Sequence, residues 1–167
     1  MLSAPVVVWA QETAPERVVE SFGAWEMRCQ RMDPADGASA MACEVTQETL
    51  IQGAAAPVTR VAVGRPAPDA PLTAVVQLPL GLWLPSGASL ELGATGGTHD
   101  LSIMRCVPQG CIAELVVTDA MRAGLSEVTE TVSAIVFEMQ PGTPARVPLV
   151  HDGFAAALAA LEARAAE

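Results

Sequence analysis

Four cysteines in a chain of 167 residues constrain its fold more than any other feature. Cys29 and Cys43 are separated by a loop-like stretch containing Asp33-Pro34-Ala35-Asp36-Gly37, while Cys106 and Cys111 flank Val107-Pro108-Gln109-Gly110. Four cysteines permit three pairings. The spacing favours Cys29 with Cys43 and Cys106 with Cys111, each bridging two consecutive strands across a turn, within the short Cα separation a disulfide needs. The rivals are free buried thiols and a zinc site. Structural zinc sites present close cysteine pairs on both sides of the metal, and here only one pair is close. A Cys-x-x-Cys redox motif is absent. Two disulfides imply an oxidising compartment, and so a periplasmic or secreted protein.

The remainder of the chain reads as short strands separated by breakers. Phe22–Gln30 alternates, with Trp25, Met27 and Cys29 on one face and Glu26, Arg28 and Gln30 on the other. Period two marks a half-buried strand, and Met41–Leu50 repeats the pattern. Further strands are expected at Val58–Gly64, Leu72–Leu80, Ser89–Leu92, Leu101–Cys106, Ile112–Val117, Val128–Met139 and Arg146–Val150. Between them stand turn clusters such as Pro85-Ser86-Gly87 and Gln140-Pro141-Gly142. The expected fold is all-β, a mostly antiparallel sandwich or partly open barrel. Two segments depart from it. Thr118-Asp119 begins a short helix over Asp119–Leu125. With Asp152 as its cap, Phe154–Ala166 forms a C-terminal helix that places Phe154, Leu158, Leu161 and Ala165 on one stripe against the sheet.

Three segments organise the chain. Residues 1–10 end in Val8-Trp9-Ala10 before Gln11, which resembles the cleavage end of a signal peptide, although no basic n-region precedes the apolar run. Residues 11–21 are polar and contain a proline, as in a flexible lead-in. Residues 22–167 make a single domain, a length ample for a core of its own. The net charge is −10, with 9 arginines and no lysine, asparagine or tyrosine, the signature of a GC-rich genome. The arginines are scattered along the sequence, and an acidic surface repels phosphate, so nucleic acid is disfavoured as a partner. Anionic membrane surfaces are disfavoured for the same reason, and no apolar run reaches the length of a membrane span.

No catalytic set emerges. The chain has two histidines: His99 lies in a turn-like Gly96-Gly97-Thr98-His99-Asp100, and His151 sits at a surface or boundary position before the last helix. No Gly-x-Ser-x-Gly elbow, His-Glu-x-x-His motif or phosphate-binding loop is present. Glu26, Glu44, Glu48, Glu127, Glu130 and Glu138 fall on polar strand faces, and no two of them stand out as the carboxylate pair of a glycoside hydrolase. Nothing calls for a metal or a cofactor. Trp25 shares a face with Met27 and Cys29 and belongs to the core. Trp83, in Leu80-Gly81-Leu82-Trp83-Leu84, is the candidate binding residue, an apolar platform for a small ligand or a sugar.

Several blocks in order resemble the invasion-associated locus B family of exported bacterial proteins. They are Phe22-Gly23-Ala24-Trp25-Glu26-Met27-Arg28-Cys29, then Cys43-Glu44-Val45-Thr46-Gln47, then Leu78-Pro79-Leu80-Gly81-Leu82-Trp83-Leu84-Pro85-Ser86-Gly87. Arg105-Cys106-Val107-Pro108-Gln109-Gly110-Cys111 and Val150-His151-Asp152-Gly153-Phe154 complete the set. The resemblance implies export, a mostly antiparallel β fold and the same two disulfides. It brings no catalytic residues to these positions. The expected function is therefore non-enzymatic, the binding of an envelope or host protein or another envelope component, with a small-ligand or carbohydrate-binding β-domain as the alternative.

Overall fold

A computed structural model describes residues 17–32, 40–50, 57–93, 96–127 and 133–165. Ten strands follow in chain order: β1 (Arg17–Phe22), β2 (Trp25–Met32), β3 (Ala40–Thr49), β4 (Thr59–Gly64), β5 (Thr73–Leu78), β6 (Ala88–Leu92), β7 (Gly97–Val107), β8 (Gly110–Val116), β9 (Ser133–Gln140) and β10 (Thr143–Leu149). Helix α1 (Asp119–Ser126) lies between β8 and β9, and α2 (Phe154–Ala165) follows β10. The strands form one open antiparallel sheet in the order β1-β2-β3-β4-β5-β8-β7-β6-β9-β10. The fold is thus all-β with two helices. No described helix is long and apolar enough to cross a membrane.

Alternation along β2 to β5 sorts the side chains onto two faces. Trp25, Met27, Val45, Val63 and Val76 point inward and are buried. Glu26, Arg28, Glu44, Glu48 and Arg60 take the intervening positions, and the register fixes their neighbours: Arg28 faces Glu44 across β2–β3, and Glu48 faces Arg60 across β3–β4. The same register sets Cys29 against Cys43, and that of β7–β8 sets Cys106 against Cys111. The Cα atoms of the two pairs are 4.1 and 3.8 Å apart, with the sulfurs at disulfide distance.

The sheet turns along β7. Residues 97–101 of this strand pair with β6 and residues 102–107 with β8, and an irregularity between Ile103 and Arg105 shifts the register. Such a bulge bends a strand and increases its twist. The β6-β9-β10 part consequently folds back over the inner face, and its Leu90, Ile135, Phe137 and Leu149 join Trp25, Val45 and Val76 in one core. Helix α2 closes the remaining side with Phe154, Ala157, Leu158 and Leu161.

Three expectations are corrected. Arg17–Ser21, the end of the expected lead-in, belongs to strand β1, which runs on to Phe22. Its Val-Val-Glu-Ser run hides an alternation in which Val18 and Phe22 pack on the core, and a two-residue Gly23-Ala24 turn pairs it to β2. The residue directly before α2 is Gly153 rather than Asp152, and the Ala157 amide donates to the Gly153 carbonyl at 2.9 Å. Ala165 is exposed, so the buried stripe ends at Leu161. Residues 1–16, with the expected signal-like segment, and the start of the Val128–Met139 strand lie outside the described residues.

The segment after β10 is held by β2 and β3. The Trp25 indole Nε1 and the Gln47 amide Nε2 both donate to the Val150 carbonyl, each at 2.8 Å, and the Val150 amide donates to Gln47 Oε1 at 2.9 Å. The Ala24 amide donates to the Asp152 carbonyl at 3.1 Å. The Trp25 ring meets Phe154 edge to face, with centroids 4.9 Å apart. Gly153, at φ +88°, passes so close to the β1–β2 turn that a Cβ there would overlap the Phe22 carbonyl.

Gly153→Ala therefore combines a disfavoured φ with a backbone collision and is expected to cost about 3 kcal/mol or more. Trp25→Ala should cost about 3–5 kcal/mol, as for other large-to-small changes in a core. Trp25→Phe keeps most of the volume but withdraws one donor from Val150, and should cost about 1–2 kcal/mol. Urea denaturation of the three variants checks this order; a Gly153→Ala protein as stable as the wild type would contradict the described packing.

Candidate functional site

The outer face of the sheet carries a trough of about 590 Å³ that crosses β2, β3, β4, β5 and β8. Strand alternation builds it. Its middle is lined by the small residues Ala42, Ala62 and Gly64, so the longer side chains around them stand as walls. Gly64 cannot be enlarged cheaply, because a Cβ would lie 2.9 Å from the Cys43 carbonyl. Arg17, Arg28, Arg60 and Arg65 line the trough together with the acids Glu44 and Glu114. Four of the chain's nine arginines, scattered in sequence, thus meet in one place on an acidic protein.

Two of these arginines are tied into a ladder of half-buried ion pairs. Arg28 donates from Nε and Nη2 to Glu26 Oε2 at 3.1 and 2.8 Å, and lies 3.7 Å from Glu48. Arg60 donates to Glu44 Oε1 at 2.5 Å. Its Nε, 3.7 Å from Glu48 Oε1, is buried without a hydrogen-bond partner, an unmet donor. The pKa of Arg28 is raised, first by the hydrogen bond to Glu26 and further by the charges of Glu26, Glu48 and Glu44, against a smaller opposing effect of burial. A raised cation pKa gives stability that is complete below the unfolded value and lost only as pH rises through the folded one. That window lies in strong alkali, so this cation persists throughout the neutral range. Arg65 donates to the Ala70 carbonyl at 2.7 Å, which fixes its stem at the rim.

The cysteine pairs flank this framework. Cys29 and Cys43 contribute to the trough lining, whereas Cys106 and Cys111 close the β7–β8 hairpin and are not among the lining residues. Trp83 is also elsewhere. It is 43% exposed on the β5–β6 connection, with Leu80 and Leu84 exposed beside it in sequence. Its amide donates to the Glu138 carbonyl at 2.6 Å, which brings the loop to the end of β9 near exposed Met139. Trp25 is fully buried.

The expected polar-face carboxylates do not form a free acid–base pair in the trough, because Glu26, Glu44 and Glu48 are all ion-paired with arginines. Glu138 accepts from Ser86 and from the Gly142 amide, and Glu130 lies outside the described residues. His151 departs from its expected boundary role: it is buried. Its Nδ1 is 2.8 Å from the Glu127 carbonyl and its Nε2 is 2.6 Å from Ser133 Oγ, which in turn accepts from the Gly93 amide. A carbonyl acceptor at Nδ1 places the ring proton there, so Ser133 donates to Nε2. The order Ser-His-carbonyl resembles a nucleophile dyad, but Ser133 is completely buried, and the network ties three chain segments together. His99, expected in a solvated turn, lies in β7 with Nε2 2.8 Å from the Gly96 carbonyl.

A long, open antiparallel sheet with two cross-strand cysteine pairs, a docked C-terminal helix and a charged trough on its outer face defines an all-β domain closed by a terminal helix. The family model for the Invasion associated locus B (IalB) protein matches residues 25–162, and the chain belongs to that family. Two relatives, the invasion protein B homologs of Brucella abortus strain 2308 and of biovar 1 strain 9-941, are each 29% identical over 144 residues, covering 86% of this chain and 79% of theirs. The crystal structure of invasion associated protein B from Bartonella henselae has the same fold, with a TM-score of 0.71 at 21% identity over 90% of this chain and 99% of that one.

Sequence reading found the alternation behind the trough but not its arginines, since Arg17, Arg28, Arg60 and Arg65 meet only through the order of the strands. The Ser133–His151 contact had no local signal either. Replacing Ser133 by alanine strands the Gly93 amide and His151 Nε2, and should cost about 1–3 kcal/mol by thermal or urea unfolding. A neutral effect would show that this network does not hold the segments together.

Proposed function

We propose that this chain is an exported, non-catalytic binding protein of an oxidising envelope compartment, periplasmic or released, that receives an anionic surface of a partner protein or envelope component in the trough. The convergence of Arg17, Arg28, Arg60 and Arg65 on one concave face of a protein with net charge −10 carries this reading. Opposite charge at a recessed site steers an anionic partner and fixes its register, while the acidic remainder of the surface repels it elsewhere. The arginine-paired glutamates and the buried Ser133 support binding rather than turnover.

Export rests on the cysteines. We read both pairs as disulfides in the mature protein, closing sequence separations of 14 and 5 residues. In the chain-entropy account the longer loop stabilises by about 3 kcal/mol and the shorter by about 2 kcal/mol. Cys29→Ala should accordingly lower the melting temperature more than Cys106→Ala, and reductant should have no further effect on a variant lacking all four. Four titratable thiols in natively isolated protein would overturn both the oxidised state and the compartment. Affinity capture from the envelope fraction, with wild type against Arg60→Glu, tests the trough: the anionic partner should be lost from the variant, and identical captured sets would count against it.

A second reading is favoured by one observation, the exposure of Trp83 with Leu80 and Leu84. In it the β5–β6 loop is an apolar platform for a small ligand or a sugar ring. Tryptophan fluorescence with a glycan and lipid panel should respond in wild type and not in Trp83→Ala; no response in either excludes it.

A further inference from the structure

The two edges of the sheet differ. In β10 the register places Pro144, Arg146 and Pro148 at alternate positions opposite Glu138, Val136 and Ala134. Proline cannot donate to a ladder, so these residues turn their backbone away from β9 to the free edge. Two of the three donors on that edge are therefore missing, and the Pro148 carbonyl already accepts from Thr49 Oγ1 at 3.4 Å. Such an edge resists pairing with another strand. Edge β1 has no proline. Because Phe22 and Trp25 close a two-residue turn as a mutually hydrogen-bonded pair, Phe22, Glu20 and Val18 bond to β2, and Arg17, Val19 and Ser21 present their amides and carbonyls outward. Among the described residues nothing pairs with this row. Val19, at its centre, is 49% exposed.

We propose that the occupant of this edge is β1 of a second copy, in an antiparallel pair about a twofold axis at Val19, which joins two sheets into one. This inference goes beyond the binding role and does not rest on it. In that register Val19 faces Val19 of the other copy, and Arg17 faces Ser21. The next residue along the same lateral row is Glu26, opposite Ser21 on β2. Strands lie about 4.8 Å apart, so Arg17 and Glu26 of opposite copies are about 10 Å apart at Cα, a span that two extended side chains cover above the small serine. Arg28 occupies only Oε2 of Glu26, through both of its hydrogen bonds. The charges are complementary and occur twice. On the other face Val18 meets Glu20, whose carboxylate is taken by Arg164 of its own α2 at 2.8 Å. The proline-blocked β10 edge stops further addition, so the assembly closes as a dimer instead of growing into a fibre. Arg17 also lines the trough, so the twofold brings the two troughs side by side.

A single strand pair is smaller than a standard stable interface, so the dimer is reversible on dilution. Sedimentation equilibrium of the wild type should approach twice the 17.3 kDa of the chain at high concentration and fall toward one chain on dilution. Val19→Lys should remain one chain at all concentrations with an unchanged melting temperature. Arg17→Glu should weaken association at least about tenfold, and adding Glu26→Arg to it should restore association. Hydrogen exchange at the Arg17, Val19 and Ser21 amides should slow in concentrated wild type and stay fast in Val19→Lys. A wild type that is monomeric throughout, or Val19→Lys dimers as tight as the wild type, would overturn the proposal, as would an Arg17→Glu protein that associates unchanged.

Discussion

The fold depends on the carbonyl and amide of Val150. These two backbone groups lie just past the end of β10 and are bonded by two side chains from distant strands, Trp25 and Gln47. These bonds tie the segment after β10 to β2 and β3, more than a hundred residues earlier in the chain. Phe154 then lands on the Trp25 ring and Gly153 on the Phe22 carbonyl, which seats α2 over the inner face. Without the clasp the segment between β10 and α2 would lose its bonds to β2 and β3, and with them the seating of α2 beside Trp25.

Because the inner face is closed by this fold-back, the outer face of β2–β5 is left as a free surface. It is not an ordinary solvated face. Half-buried arginine–glutamate pairs cross three strands, and small residues between them leave a recess. Exposed ion pairs add little stability individually, so the ladder is better understood as fixing the shape and charge of the trough than as holding the sheet. The Cys29–Cys43 pair, its sulfurs at disulfide distance, lines this recess within the β2–β3 ladder. Architecture and site thus share one set of strands: the apolar alternate residues make the core, and the polar ones make the trough surface.

Most strands were legible because their signal is local. Alternation located β2, β3, β4 and β5 to within a few residues, and the Thr118 cap marked α1, where its hydroxyl accepts from the Met121 amide at 3.3 Å. β1 was missed because its polar flank and short apolar content resemble a linker, and only its pairing with β2 orders it. Gly153 was passed over for Asp152 because side-chain capping is a local rule, while the need for glycine arises from a β-turn more than a hundred residues away. His151 was misjudged for the same reason: its partners, Ser133 and Glu127, are not near it in sequence.

The sequence by itself determined the periodic content: which residues alternate, where turns interrupt them, which cysteines are close enough to bridge neighbouring strands, and that the last segment is helical. Those properties depend on a few adjacent residues and on backbone sterics. Only the tertiary structure decided that β7 bends between two halves, that four separated arginines share one recess, that Gln47 and Trp25 hold Val150, and that the β10 edge carries prolines while the β1 edge is unpaired among the described residues. Each of these depends on strand order and register, and contacts between residues far apart in the chain leave no pattern at the spacing a sequence displays.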